Sequence, residues 1–162
     1  MRLRTLASLV ATAIIGTSLV ISAPAANATH RDWSLVLEQD APTLLNSIVI
    51  DGRVIEVSWE AVLRDESGRK VGKVFGTQHD MDASPGGKTE TRMRTLVFKF
   101  ANGQIVAQGV AQYALPDRLL KRGARSVIAI VGGTGAYAGA RGELLSIHRS
   151  GGMHLQKFDL IG

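Results

Sequence analysis

The chain has 162 residues, 45% hydrophobic, 20% charged and 5% aromatic, with a formal charge of +5 at pH 7. It contains no cysteine, which excludes a thiolate nucleophile, a cysteine-held metal and a disulfide framework. Its basic residues are scattered apart from Lys121, Arg122 and Arg125, and its four Phe, two Trp and two Tyr are too few for a stacking series, so the pattern argues against a nucleic-acid partner.

In chain order, Arg2 and Arg4 precede the apolar run Leu6 to Ile21, and the small-residue stretch Ser22 to Ala28 follows it. This is the pattern of a secretory signal, too short in its apolar part to span a bilayer, with cleavage expected after Ala28. Residues 29–162 are then one exported, secreted domain with no membrane span. Processing removes two positive charges and leaves 17 Lys and Arg against 14 Asp and Glu.

Beyond Thr29 the dominant period is two, with turn signals at short intervals. Trp33 to Leu37 predicts a short strand, broken at Ala41-Pro42-Thr43. Ile48 to Ile50 leads into the turn Asp51-Gly52, and Ile55, Val57, Trp59, Ala61 and Leu63 then alternate with Glu56, Ser58 and Glu60. A turn at Asp65 to Gly68 precedes an extended segment from Val71 to Asp80, and Asp82 to Gly87 is a loop. Thr89 to Phe100 is a long strand with Glu90, Arg92, Arg94, Leu96, Phe98 and Phe100 on one face. Asn102-Gly103 is a preferred hairpin turn returning through Ile105 to Tyr113. Leu115 to Gly123 holds the only plausible helical turn. A strand from Ser126 to Val131 enters a glycine-rich corner, and a last hairpin runs from Glu143 to Ile161 about Ser150-Gly151-Gly152.

No amphipathic helix is long enough to cover a sheet, so the strands must close on themselves or pack as two sheets. About eight strands suit a small antiparallel up-and-down barrel, the size at which the interior just holds side chains or one small ligand. An all-β, eight-stranded, calycin-like barrel is therefore expected, with a sandwich as the alternative. The corner glycines, Gly132, Gly133, Gly135, Gly139 and Gly142, are expected to supply positive φ and close backbone approach. A dinucleotide loop is disfavoured, because no helix can follow and the spacing is G-x-G-x-x-x-G.

The segment Val131-Gly-Gly-Thr-Gly-Ala-Tyr-Ala-Gly-Ala-Arg-Gly142 resembles the signature of the dirigent proteins, whose barrel is shared with the allene oxide cyclases. Gly72-Lys-Val-Phe-Gly76, Phe98-Lys-Phe100 and Gln108-Gly109 resemble earlier strands of that family in the same order. The resemblance implies an oligomeric barrel, a homodimer or homotrimer, with a mostly apolar pocket. Within it a phenolic coupling is steered or a reactive precursor is cyclised without a cofactor. Two departures stand out: Val110-Ala111 occupies the place where plant members carry Arg and an acidic or amide residue, and the cysteine of the cyclase pocket is missing. The implied fold carries over; the activity does not transfer residue by residue.

Cofactor-free steering needs a shaped pocket, a few polar anchors and exclusion of water. The residues suited to the chemistry are Arg94, Tyr113, His79 and Asp80, with Trp59, Phe75 and Phe98 as walls. Arg94 can hold a carboxylate, phenolate or enolate if its face points inward. Tyr113 anchors a substrate oxygen or stands at the rim with its tip in water. His79 and Asp80 are neighbours in a strand and cannot both face one lumen. Glu56 and Glu60 share a face that alternation marks as the wet one. His30, His79, His148 and His154 show no close ligand spacing, so no metal site is expected. Three functions follow: a steering or cyclising barrel for a small apolar, phenolic or polyketide-like precursor, a lipocalin-like carrier, or an exported structural module. A pocket lined by Arg94 or Tyr113 with a titratable neighbour favours the first, a wholly apolar pocket the second, and a filled lumen the third.

Overall fold

The computed structural model describes residues 33–82, 88–114 and 120–161. The signal segment 1–28 with its cleavage point, His30, most of the loop expected up to Gly87, and the first part of the expected helical turn at 115–123 lie outside the described residues. The remainder of that last segment is a turn, with the Ala124 amide donating to the Lys121 carbonyl.

Nine strands follow one another: β1 (Trp33–Gln39), β2 (Thr43–Ile50), β3 (Arg53–Arg64), β4 (Lys70–Asp80), β5 (Thr89–Phe100), β6 (Gly103–Ala114), β7 (Arg125–Gly135), β8 (Arg141–His148) and β9 (His154–Ile161). Each pairs antiparallel with its sequence neighbour from β2 to β9, and β9 returns to β1. The ring shuts where β1 meets β3, with Glu38 opposite Arg64 and Gln39 opposite Leu63. Eight strands therefore close into the expected antiparallel barrel, which excludes the sandwich. β2 is an additional strand that continues along the edge of β3 past the closure point, exposed along its whole length. It begins at Thr43, five residues before the expected start of an apolar run.

Turn chemistry explains the short connections. Asp51 and Gly52, both at positive φ, link β2 to β3, and Asn102-Gly103 links β5 to β6. The glycine-rich corner is a hairpin: Gly132, Gly133 and Gly135 belong to the end of β7, and residues 136–139 form the turn into β8. At Gly142, φ is 128° and a Cβ would strike the Asp159 carbonyl, so only glycine fits there. Gly132 has no such demand, having open space around its Cα and no positive φ. It follows a bulge in which β7 carries one residue more than β6, with Val106 opposite Gly132 and Ala107 opposite Ile130. The turn folds across one end of the barrel, where Tyr137 packs against Trp33 and Phe100 at ring separations of 6.0 and 5.1 Å.

Inward positions are read along cross-strand rows. Leu35, Phe158, Leu144 and Ile128 form one row across β1, β9, β8 and β7. Facing it, Ala61, Val74, Phe98 and Ile105 form a row across β3 to β6. Phe98 and Phe158 meet edge to face at 4.8 Å between ring centres, filling the lower barrel.

Candidate functional site

The upper barrel is hollow. A cavity of about 350 Å³ opens there, a size that suits a small organic ligand. One wall is apolar, made by Val57 and Trp59 of β3, Leu96 of β5 and Tyr113 of β6, with Leu44 of β2 at the mouth. The Trp59 indole finds room because Gly76, its cross-strand neighbour on β4, has no side chain; a Cβ there would collide with the ring. The opposite wall is polar. One row higher than Phe158, Gln156 of β9 stands opposite both Leu37 and Ser146, and one row higher again His154 stands between Gln39 and His148. The tight connection through Ser150–Gly152 sets this register, bringing the two imidazoles within 5.1 Å of each other.

These polar groups are buried and incompletely bonded. Gln156 Nε2 donates to Gln39 Oε1 at 2.7 Å. The remaining Gln39 Nε2 and Gln156 Oε1, the Ser146 hydroxyl, and Nδ1 of both His148 and His154 have no hydrogen-bond partner among the described residues. Buried polar atoms are nearly always satisfied in proteins, so a cluster of open ones around a cavity marks a place where a ligand or water completes the bonding. Burial, then the repulsion of His148 and Arg94, push the His154 imidazole down from 6.5 to about 4, against a backbone hydrogen bond to Gly152 that raises it. His154 is therefore uncharged at neutral pH: a weak base and a hydrogen-bond partner rather than a fixed cation.

Of the residues singled out from the sequence, Trp59, Arg94 and Tyr113 line the cavity. The inner face of β5 explains Arg94. Glu90, Arg92, Arg94, Leu96 and Phe98 all point inward, and the outer positions are half-buried or exposed. Arg94 Nη2 donates to Ser126 Oγ at 2.7 Å, while its Nε has no partner among the described residues. Arg92, also in the cavity wall, pairs with buried Glu90 and lies 5.9 Å over the Tyr113 ring. Phe98 lies beneath the cavity in the packed core, so its contribution is to the floor.

Phase and pairing remove the others from the lumen. Phe75 is 36% exposed on the outer face of β4, whose inner face carries Val74, Gly76 and Gln78. It is not a pocket wall. His79 also faces outward, with Nδ1 3.4 Å from a Glu56 carboxylate oxygen. Glu60 pairs with Lys73 at 2.7 Å, so the two glutamates do not act together. Asp80 turns inward but is held at the rim by Arg53 Nη2 at 2.6 Å. Burial raises its carboxyl, but the Asp82 amide, Arg53 and Arg92 together outweigh that and leave it below the usual carboxylate range. Gln39, Ser146, His148, His154 and Gln156 were not anticipated. The symmetry of residues 148 and 154 about Gly151 is the signal that would have found the histidine pair. Among the described residues, no three His, Asp or Glu converge as a metal site would require.

No family model matches the chain, and no curated protein matches it by sequence. Solved structures do. The chain is similar to pyocyanin demethylase, with a TM-score of 0.59 and 20% identity over 79% of this chain and 99% of that one. It is similar to an exo-specific intermolecular Diels-Alderase, with a TM-score of 0.60 and 21% identity over 83% and 99%. It is also similar to a nonspecific heme-binding cyclase that catalyses a cycloaddition during neoabyssomicin biosynthesis, with a TM-score of 0.55 and 14% identity. There it covers 82% of this chain and 63% of that one. At these identities the finding is a shared small barrel.

Proposed function

We propose that this protein is an exported barrel that takes a small, mostly apolar precursor into its lumen and steers a ring closure or coupling without a cofactor. In this it would resemble the dirigent and allene oxide cyclase barrels. The observation that carries the proposal is the two-sided cavity, in which Trp59, Leu96 and Val57 face Arg94, His154 and Ser146, each with a polar atom that is buried and unbonded among the described residues. The apolar wall holds the substrate's body and excludes water, while the polar wall fixes its oxygens, so that one folded conformer is favoured over the many free in solution. A cyclisation redistributes electrons within one molecule and needs from the protein only that conformer and local proton handling. A radical coupling would take its oxidant from another protein. The names of two of the similar structures, an intermolecular Diels-Alderase and a cyclase that catalyses a cycloaddition, support a ring-forming reaction. We further propose removal of residues 1–28 on export and assembly as a homo-oligomer.

The carrier alternative draws on one observation: Val110 faces outward and Ala111 adds no polar group to the lumen, so the Arg-acid pair of plant dirigent proteins has no counterpart here. Native mass spectrometry on protein equilibrated with an extract of the cells that express it tests both. Wild type is expected to retain a small molecule that Gly76→Leu, with Trp59 forced into the cavity, releases. Equal retention by both proteins would overturn the lumen as the binding site. Release of an isomer of the retained molecule by wild type but not by His154→Gln supports steering; recovery of the unchanged compound from both leaves carriage.

A further inference from the structure

The inner face of β5 carries three buried charged groups. Two of them answer each other: Glu90 and Arg92 are 6% and 3% exposed, and Arg92 Nε donates to a Glu90 carboxylate oxygen. Arg94 is equally buried, at 3%, but its one hydrogen bond among the described residues goes to a neutral hydroxyl, that of Ser126. No described carboxylate lies within ion-pair distance of it, and its Nε–H is unpartnered. Its neighbours on the polar wall are an amide pair, hydroxyls and imidazoles, none of which carries negative charge. A guanidinium in this position is shielded from bulk water and has no counter-ion among the described residues, a costly arrangement that an anionic ligand would relieve.

Resting on the lumen being a binding site as proposed above, we propose that Arg94 is its anion subsite and that the ligand is an amphiphilic organic acid. The acid group, an ionised carboxyl or an ionised enol or phenol, sits on the cavity-lining guanidinium of Arg94. The apolar body lies against Trp59 and Leu96, both in the cavity wall. Two features of the site agree with this. His154 is uncharged at neutral pH because burial, His148 and Arg94 disfavour its proton, so it does not compete as a cation. Arg92 is already neutralised by Glu90, which leaves Arg94 as the cavity's uncompensated charge among the described residues. A charge-assisted hydrogen bond to arginine is roughly twice as strong as a neutral one, so the acid group, not the body, sets the register of the bound molecule.

The test compares matched probes by calorimetry at neutral pH on the purified protein: 2-naphthoate against 2-naphthamide, and 4-hydroxycoumarin, an enol ionised at this pH, against coumarin. The anionic member of at least one pair is expected to bind on the order of tenfold tighter than its neutral partner. The pair that shows the larger ratio tells a carboxylate ligand from an enolate. Arg94→Met is expected to abolish the preference, and Arg94→Lys to restore part of it. Equal binding of charged and neutral members to wild type overturns the anion subsite, and this comparison stands whether or not the variants fold. A preference that persists in folded Arg94→Met also overturns it. If none of the four binds while the neutral apolar probe N-phenyl-1-naphthylamine does, the anion inference falls and the lumen site stands. If that probe also fails to bind, both fall.

Discussion

The two ends of this barrel are built on the same strands yet do opposite things. Toward the closed end the inward side chains are Phe98 of β5, Leu144 of β8 and Phe158 of β9, each no more than 1% exposed. Toward the open end the same faces carry Arg94, Ser146 with His148, and Gln156 with His154. β1 makes the same change, from Leu35 and Leu37 to Gln39. The switch falls at about one height on four strands. Alternation decides which residues face inward, but position along the barrel axis decides whether that interior is packed or left open and polar.

Truncation at the closed end should give the largest effect. Phe158→Ala removes the partner of Phe98 in a region without slack, and a loss of about 3–5 kcal/mol in urea unfolding is expected. A loss below about 1 kcal/mol would erase the distinction between the two ends. The next effect belongs to the open end and depends on pH. The imidazole of His154 titrates near 4 in the folded protein against 6.5 in the unfolded chain. Between those values the unfolded chain holds a proton that the folded one refuses, so stability is full above about 6.5 and falls as pH drops toward 4. The loss is on the order of 2 kcal/mol after allowance for partial exposure. His154→Gln should flatten that part of the urea-midpoint profile, and an unchanged profile would show that the histidine is not the cause. The smallest effect, and the one that sharpens the contrast most, is at Arg94. Arg94→Met should leave the ligand-free protein unchanged or more stable by about 1 kcal/mol, because it removes a buried charge that no described carboxylate compensates. Marked destabilisation would make Arg94 a structural residue.

Much of this was legible in advance because local rules act on local residues. The Asn102-Gly103 turn, the alternation from Val57 to Leu63 and the shared face of Arg94, Leu96 and Phe98 on β5 all follow from period two and turn chemistry, but that this face points into the lumen shows only in the closed barrel. Closure followed from the absence of helices. The polar wall was hidden because it exists only across strands. His148 and His154 are six positions apart, a spacing without meaning until the last hairpin folds them opposite each other. Gln39 and Gln156 meet across 117 positions of sequence. Phe75 was misplaced for a different reason: its aromatic bulk suggests a pocket wall, but on β4 the inner face is the one that carries Gly76, leaving the space to Trp59 from the next strand.

That borrowed space has a consequence of its own. The bore of the cavity is governed by a residue whose contribution is to be empty, since an atom added at position 76 collides with the indole and displaces it. Graded replacement at this one position is a volume control for the chamber, separate from the charge of Arg94. A barrel built this way can change the size of its cavity without altering a single polar group in the wall.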